Sequence, residues 1–173
     1  SWGVSTRLVG GLIMSHGDDK GLIVPPRLAQ IQVVIIPIMK NDDEAAKVKP
    51  VIASIVADLK SKGGRVKVDE REHLSPGTKF YEWEGKGVPL RVEVGPRDVD
   101  KGQVVQARRD TGEKTFLPRE AFIERVQGTL DAIQAALLEA RRKRMREKTF
   151  EKTDYAGLRE VIGEHGLFCS LYT

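Results

Sequence analysis

The residues that most often carry chemistry do not assemble into a site by spacing alone. His16, His73 and His165 are scattered, and the single cysteine, Cys169, has no companion at metal-ligand spacing, so no metal site is expected. The sequence has no phosphate-binding P-loop, no GxGxxG following a strand and no GxSxG elbow. Chemically dense residues instead occur in two ordered segments. The first is Ser1-Trp2-Gly3-Val4-Ser5-Thr6-Arg7, followed by Met14-Ser15-His16-Gly17-Asp18-Asp19-Lys20-Gly21-Leu22-Ile23-Val24-Pro25-Pro26-Arg27. The second runs Ser75-Pro76-Gly77-Thr78-Lys79-Phe80-Tyr81-Glu82-Trp83-Glu84, then from Lys86 through Arg91 and Glu93 to Pro96-Arg97-Asp98.

These segments need elements to hold them, and the patterning supplies candidates. Residues 1–6 are β-prone, and Arg7 opens a helical stripe of Leu8, Val9, Leu12, Ile13 and Met14 that ends at His16-Gly17-Asp18. Lys20-Gly21 and Pro25-Pro26 make a non-helical connector, which puts a domain boundary near Gln30. The apolar run from Ile31 to Ile38 reads as a strand buried on both faces. A helix follows the acidic cluster Asn41-Asp42-Asp43-Glu44 and stops at Gly63-Gly64, with Pro50 expected to restart or kink it.

Beyond it, Arg65 to Asp69 alternates like a short strand, and Ser75-Pro76-Gly77 opens a short helix reaching Glu84. Val88 to Val94 and Gln103 to Arg108 read as strands, and Asp110-Thr111-Gly112 as the hairpin turn into Lys114 to Leu117. A long helix from Pro118 runs into the basic cluster Arg141 to Arg146, and a last amphipathic helix covers about Lys152 to Ile162. Strands alternating with helices, plus one hairpin, predict an α/β fold: a mixed, largely parallel sheet flanked by helices, preceded by a strand-helix piece.

The bulk numbers agree with that class. Of 173 residues, 40% are hydrophobic and 31% charged, which excludes a disordered chain. The net charge of +4 fits a polyanionic partner without requiring one. The longest apolar stretch is too short to span a bilayer, no signal segment opens the chain, and one cysteine suits a reducing compartment. The opening residues read like the middle of a strand, as in a fragment of a longer protein.

The order of residues in the two segments is distinctive. The first resembles motif 3 of class II aminoacyl-tRNA synthetases, and through HGDDKG and PPR it is similar to the prolyl-tRNA synthetases in particular. The second resembles the anticodon-binding domain of the same family, in its archaeal- and eukaryote-like branch. The resemblance covers roughly residues 1–165. It implies that residues 1–29 end a class II catalytic domain, residues 30–140 form the anticodon-binding domain, and residues 141–173 form a basic helix end and the start of a C-terminal extension.

The resemblance also implies roles. Arg7 is the motif 3 arginine, the catalytic group that binds ATP phosphates while proline becomes an adenylate, a role suited to a permanently charged planar fork. Gly3 and Ser5 line the same nucleotide wall. Phe80, Glu84, Arg91, Arg97, Asp98 and Lys114 are expected to bind the anticodon, reading the two guanines that proline anticodons share. Phe80 offers a π-face for a splayed base, Arg91 and Arg97 donate to guanine O6 and N7, and Glu84 and Asp98 accept from N1–H and N2–H₂. Lys114 holds backbone or base from the hairpin. Arg97 stands where some relatives carry lysine, and either is a donor. Cys169 lies where the family's extension often begins a zinc-type cysteine set, with no second cysteine in this sequence.

Each assignment has a plainer rival. Arg7 at a helix start, Glu84 with Lys86 at a helix end, and Arg91 with Glu93 as a cross-strand ion pair are all ordinary structural arrangements. Trp83 is assigned to the core, and the Arg141–Arg146 run fits a solvated helix end as well as phosphate contact.

The reading that follows is the C-terminal region of a proline–tRNA ligase. The intact cytoplasmic enzyme would use ATP, Mg²⁺, proline and tRNA(Pro) and dimerise through its catalytic domain, whereas this fragment alone would be inactive. The alternatives are a non-catalytic tRNA-binding or regulatory module derived from a class II synthetase and, more distantly, a threonyl or histidyl enzyme of the same subgroup.

Overall fold

The computed structural model describes residues 3–165, so Ser1, Trp2 and Cys169 lie outside the described residues. The chain divides into two compact units, Ser1–Ala135 and Ala136–Thr173. Helix α1 spans Arg7–His16, and its stripe points outward: no residue of it is buried, and Leu8, Val9, Ile13 and Met14 are exposed. Residues 3–5 form no strand. This departs from the strand expected over residues 1–6, because β-prone residues form a strand only where a neighbour accepts their backbone hydrogen bonds.

The core of the first unit is a five-stranded sheet of order β2-β1-β3-β4-β5. Its strands are β1 (Val33–Pro37), β2 (Val66–Val68), β3 (Leu90–Val94), β4 (Gln103–Arg108) and β5 (Lys114–Pro118). Strands β2 and β3 flank β1 in parallel, while β4 and β5 add antiparallel ladders beyond β3. The sheet is thus mixed, as expected. The β4–β5 hairpin turns at Gly112, whose φ of 71° is the left-handed conformation that favours glycine.

The helices of this unit are α2 (Asp42–Ser61), α3 (Pro76–Gly85), a short α4 (Pro96–Asp100) and the greater part of α5 (Arg119–Glu147). Asn41 caps α2 by accepting from the Glu44 N–H at 2.9 Å. The helix runs through Pro50 without a break, a difference from the expected restart. Val48, Ile52, Ile55 and Leu59 form its buried stripe, and Phe122, Val126, Leu130 and Ile133 the buried stripe of α5. The Nζ of Lys62, just past α2, donates to the Ile123 carbonyl of α5 at 2.9 Å, which joins the two helices over one face of the sheet.

The other face carries α3. Its Trp83 and half-buried Phe80 pack with Val34 and Ile36 of β1 and with Val88. Ser75 caps α3 through Thr78 N–H and Pro76 occupies its first turn, a start legible from Ser75-Pro76-Gly77. The second unit contains the end of α5 and α6 (Tyr155–His165).

Candidate nucleic-acid interface

Residues facing each other across a ladder lie on the same side of a sheet, so the register identifies the α3 face completely. One row across the strands is Val34, Arg91, Ala107 and Lys114, and the next is Ile36, Glu93, Val105 and Phe116. Helix α3 covers the β1 end of these rows. The β5 end is open: Lys114 has a side chain 47% exposed and Phe116 is 64% exposed.

Three expected readers and one unexpected partner meet here. The Arg91 guanidinium lies 4.3 Å from the centroid of the Phe80 ring, and the Lys114 Nζ lies 5.3 Å from the same centroid. Glu93, buried and not foreseen as a site residue, accepts from Arg91 Nε at 3.2 Å and pairs with Lys114 Nζ at 2.9 Å. The Arg91–Glu93 ion pair expected across strands exists instead along one strand, and it is part of a cluster that also orients a ring and a second cation. The two-residue spacing of Arg91 and Glu93 within a strand was the signal that they share a face.

Glu84 closes the other side of a cleft of about 150 Å³ whose lining includes Arg91, Ala107, Arg108 and Arg109. That is smaller than the roughly 300–1,000 Å³ of small-molecule sites, too small to enclose a whole nucleotide. Glu84 Oε1 lies 3.3 Å from Lys20 Nζ, leaving its other oxygen as an acceptor beside the donors.

Arg97 and Asp98 sit apart from this cluster, on α4 beyond the end of β3. Arg97 is exposed. Asp98 braces its own turn, where one oxygen accepts from Gly95 N–H at 3.1 Å and the other from Gln103 Nε2 at 3.2 Å. Gly3, Ser5 and Arg7 are exposed around the start of α1, distant in the chain from every anticodon candidate. Among the described residues no group of three or more His, Cys, Asp or Glu side chains is arranged to hold a metal ion, and no helix is long and apolar enough to cross a membrane.

Two polar anchors fix α3, and neither was foreseen. Asp69, following β2, accepts from Trp83 Nε1 at 2.7 Å and receives Arg71 through Nε at 2.8 Å and Nη2 at 2.6 Å. The Arg71 hydrogen bonds, aided by Trp83, hold the Asp69 carboxyl well below the usual carboxylate range. Arg71 also reaches Glu82 of α3 at 2.7 Å, and Lys86 and Arg71 together lower the Glu82 pKa.

At the other end of the helix, Arg109 donates to both Asp18 oxygens, at 2.9 and 2.6 Å, and through Nε to the Glu84 carbonyl at 2.9 Å. The Arg109 bond lowers the Asp18 pKa to about 2. Backbone bonds from Leu22 N–H to Gly85 and from Val24 N–H to Gly87 extend this seam. The long sequence separation of Asp18 from Arg109 hid it.

The family model for an anticodon binding domain matches residues 32–129, which contain all five strands, α3 and the Arg91 cluster. The chain belongs to the anticodon-binding domain family. Its sequence is 49% identical over 166 residues to a proline–tRNA ligase of Salinibacter ruber, covering 96% of this chain and 34% of that protein. It is 48% identical over 165 residues to the proline–tRNA ligase of Chloroflexus aurantiacus, covering 94% and 34%. The proline–tRNA ligase of Christiangramia forsetii is 41% identical over 172 residues, covering 99% and 35%. The chain therefore spans about a third of the length of the curated relatives it matches. The likeness to prolyl-tRNA synthetases read in the two segments is borne out, and the mixed sheet is that of an anticodon-binding domain.

Proposed function

We propose that this chain is the anticodon-reading part of a proline–tRNA ligase, and that its α3 face recognises the two guanines of the proline anticodon. The observation that carries the reading is the Phe80–Arg91–Glu93–Lys114 cluster beside Glu84. It combines a π-face, a planar donor fork and an acceptor within one surface, which is what a splayed guanine requires. Arg91 donates to O6 and N7, Glu84 accepts from the Watson–Crick edge, and Lys114 and Arg97 hold the neighbouring nucleotide. Glu93 fixes the two cations, and Asp98 shapes the α4 turn and assists from there.

In the parent enzyme, proline is first activated with ATP and then joined to the terminal adenosine of tRNA(Pro). Residues 1–29 belong to the catalytic domain of that enzyme, and residues 30–140 to the tRNA-reading domain. Arg7, with Gly3 and Ser5, would contact ATP in the catalytic domain, and a bound Mg²⁺ would supply neutralisation of the phosphate charge there. Among the described residues of this chain no group of three or more His, Cys, Asp or Glu side chains fits that ion. The parent acts in the cytoplasm as a homodimer.

The two functions separate kinetically in the parent-length protein. Arg7→Ala should abolish proline-dependent exchange of pyrophosphate into ATP. Arg91→Ala should leave that exchange intact and lower kcat/KM for charging tRNA(Pro) by about 10- to 100-fold. A parent that binds tRNA but neither exchanges nor charges would overturn the ligase reading in favour of a non-catalytic tRNA-binding module.

A further inference from the structure

We infer that Phe116 is a second stacking platform, and that it takes the anticodon-loop base adjoining the two guanines without reading its identity. This rests on the anticodon reading above and assigns a residue to a part of the ligand that reading leaves uncontacted. Lys114, Phe116 and Pro118 are exposed on β5, while the alternate residues Thr115 and Leu117 are less so. The register therefore turns the Phe116 ring to the same sheet face as Arg91 and Glu93.

A large aromatic group 64% exposed on an edge strand has an energetic cost that single surface side chains often bear without function. Its surroundings distinguish this one. It lies one alternation, roughly 7 Å, along the strand from Lys114 and two strands, roughly 10 Å, from the β3 row of Arg91 and Glu93. A single strand with one guanine in the cleft between Glu84 and Arg91 therefore has the β5 ring within reach of a neighbouring base.

The chemistry around Phe116 is that of a non-selective contact. Its register partner is Val105, and its same-face neighbours along β5 are Lys114, tied to Glu93, and Pro118. Gln103, opposite Pro118, gives its amide to Asp98. Val105 and Pro118 carry no side-chain donor or acceptor and Lys114 carries donors only, so none of these three supplies the paired donor and acceptor that an edge readout needs. Proline anticodons share two guanines and differ in the remaining base, so a surface that binds every base through its π-face suits that position.

The test is equilibrium binding of the chain to proline-tRNA anticodon stem-loops that keep both guanines. Four carry A, C, G or U at the variable position, and a fifth is abasic there. Phe116→Ala is expected to weaken binding to all four alike, by about 5- to 100-fold. It should leave the abasic loop and the preference for guanines unchanged, and Phe116→Trp should restore affinity. Phe116→Leu, which keeps apolar area without a π-face, should behave like Phe116→Ala. An unaltered thermal midpoint identifies the loss as one of contact and not of folding. Unchanged affinity in Phe116→Ala, or an equal loss on the abasic loop, would overturn the inference while leaving the guanine reading in force. Failure of the unmodified chain to prefer the guanines at all would remove both.

Discussion

The guanidinium of Arg91 stacks 4.3 Å from the centroid of Phe80, so the donor fork that would face a guanine is held by a ring on one side and by Glu93 on the other. Lysine keeps the charge but loses the plane and the fork. Arg91→Lys is expected to lower the preference for guanine over adenine at one anticodon position by about 1–3 kcal/mol. Total affinity at low salt should change less. Paired Kd measurements on the two loops check it, and an undiminished ratio would release Arg91 from the reading role.

Asp69 is the anchor of α3. Its side chain is only 1% exposed and holds Trp83 and Arg71 at once. Asp69→Ala leaves the buried Trp83 indole N–H without its acceptor and Arg71 with Glu82 alone, at a cost of about 1–3 kcal/mol for the unsatisfied indole donor. The urea midpoint reads the loss, and proteolysis should find new cleavage between Leu74 and Gly87. A change below about 0.5 kcal/mol would be that of an ordinary surface position.

Gly87 tests the seam between the connector and α3. Its φ is 74°, and a Cβ there would stand 2.4 Å from the Leu22 carbonyl oxygen. Gly102, at φ 62°, has nothing within 4 Å of such a Cβ. Gly102→Ala should cost only the left-handed backbone penalty, about 1 kcal/mol. Gly87→Ala should cost clearly more, because the Leu22–Gly85 and Val24–Gly87 bonds must shift as well. Equal losses would mean that the close approach is relieved without strain.

Acid sensitivity follows from the depressed carboxylates. The folded pKa of Asp18 is about 2, against about 3.9 for an unperturbed aspartate, and that of Asp69 is lowered too. Between the two values the unfolded chain binds more protons than the folded one, so stability rises with pH there. The contribution is complete above about pH 4 and is lost as pH falls through the folded pKa. The Asp18 side chain is 40% exposed, so solvent reduces its share and Asp69 dominates. Urea midpoints between pH 6 and 2 should fall less steeply in Asp69→Asn than in the unmodified chain.

Much of this architecture was legible from periodicity and turn chemistry. Alternating and continuous apolar runs located all five strands, and Asp110-Thr111-Gly112 located the hairpin. The short α4 was missed because Pro96-Arg97-Asp98 shows no apolar stripe, and its role emerges only from the Asp98 bond to Gly95. The aromatic, cationic and acidic residues proposed as readers stand in one string of the sequence, and the ladder brings Arg91 and Lys114 together around Phe80. Glu93 and Phe116 were hidden because their importance comes from register across three strands. Asp69 and Arg109 were hidden for a similar reason, as each binds a distant segment that no local pattern announces. The expected strand at residues 1–6 shows the converse, since propensity without a pairing partner makes no ladder in residues 3–5.

The most direct test is the affinity of this chain for a proline-tRNA anticodon stem-loop against the same loop with both guanines replaced, at one fixed moderate salt concentration. The predicted result is tighter binding to the guanine loop by about 1–3 kcal/mol per guanine, with the difference abolished in Arg91→Ala. Equal binding to both loops, falling together as salt is raised, would contradict guanine readout by this face and assign the affinity to non-specific phosphate contact.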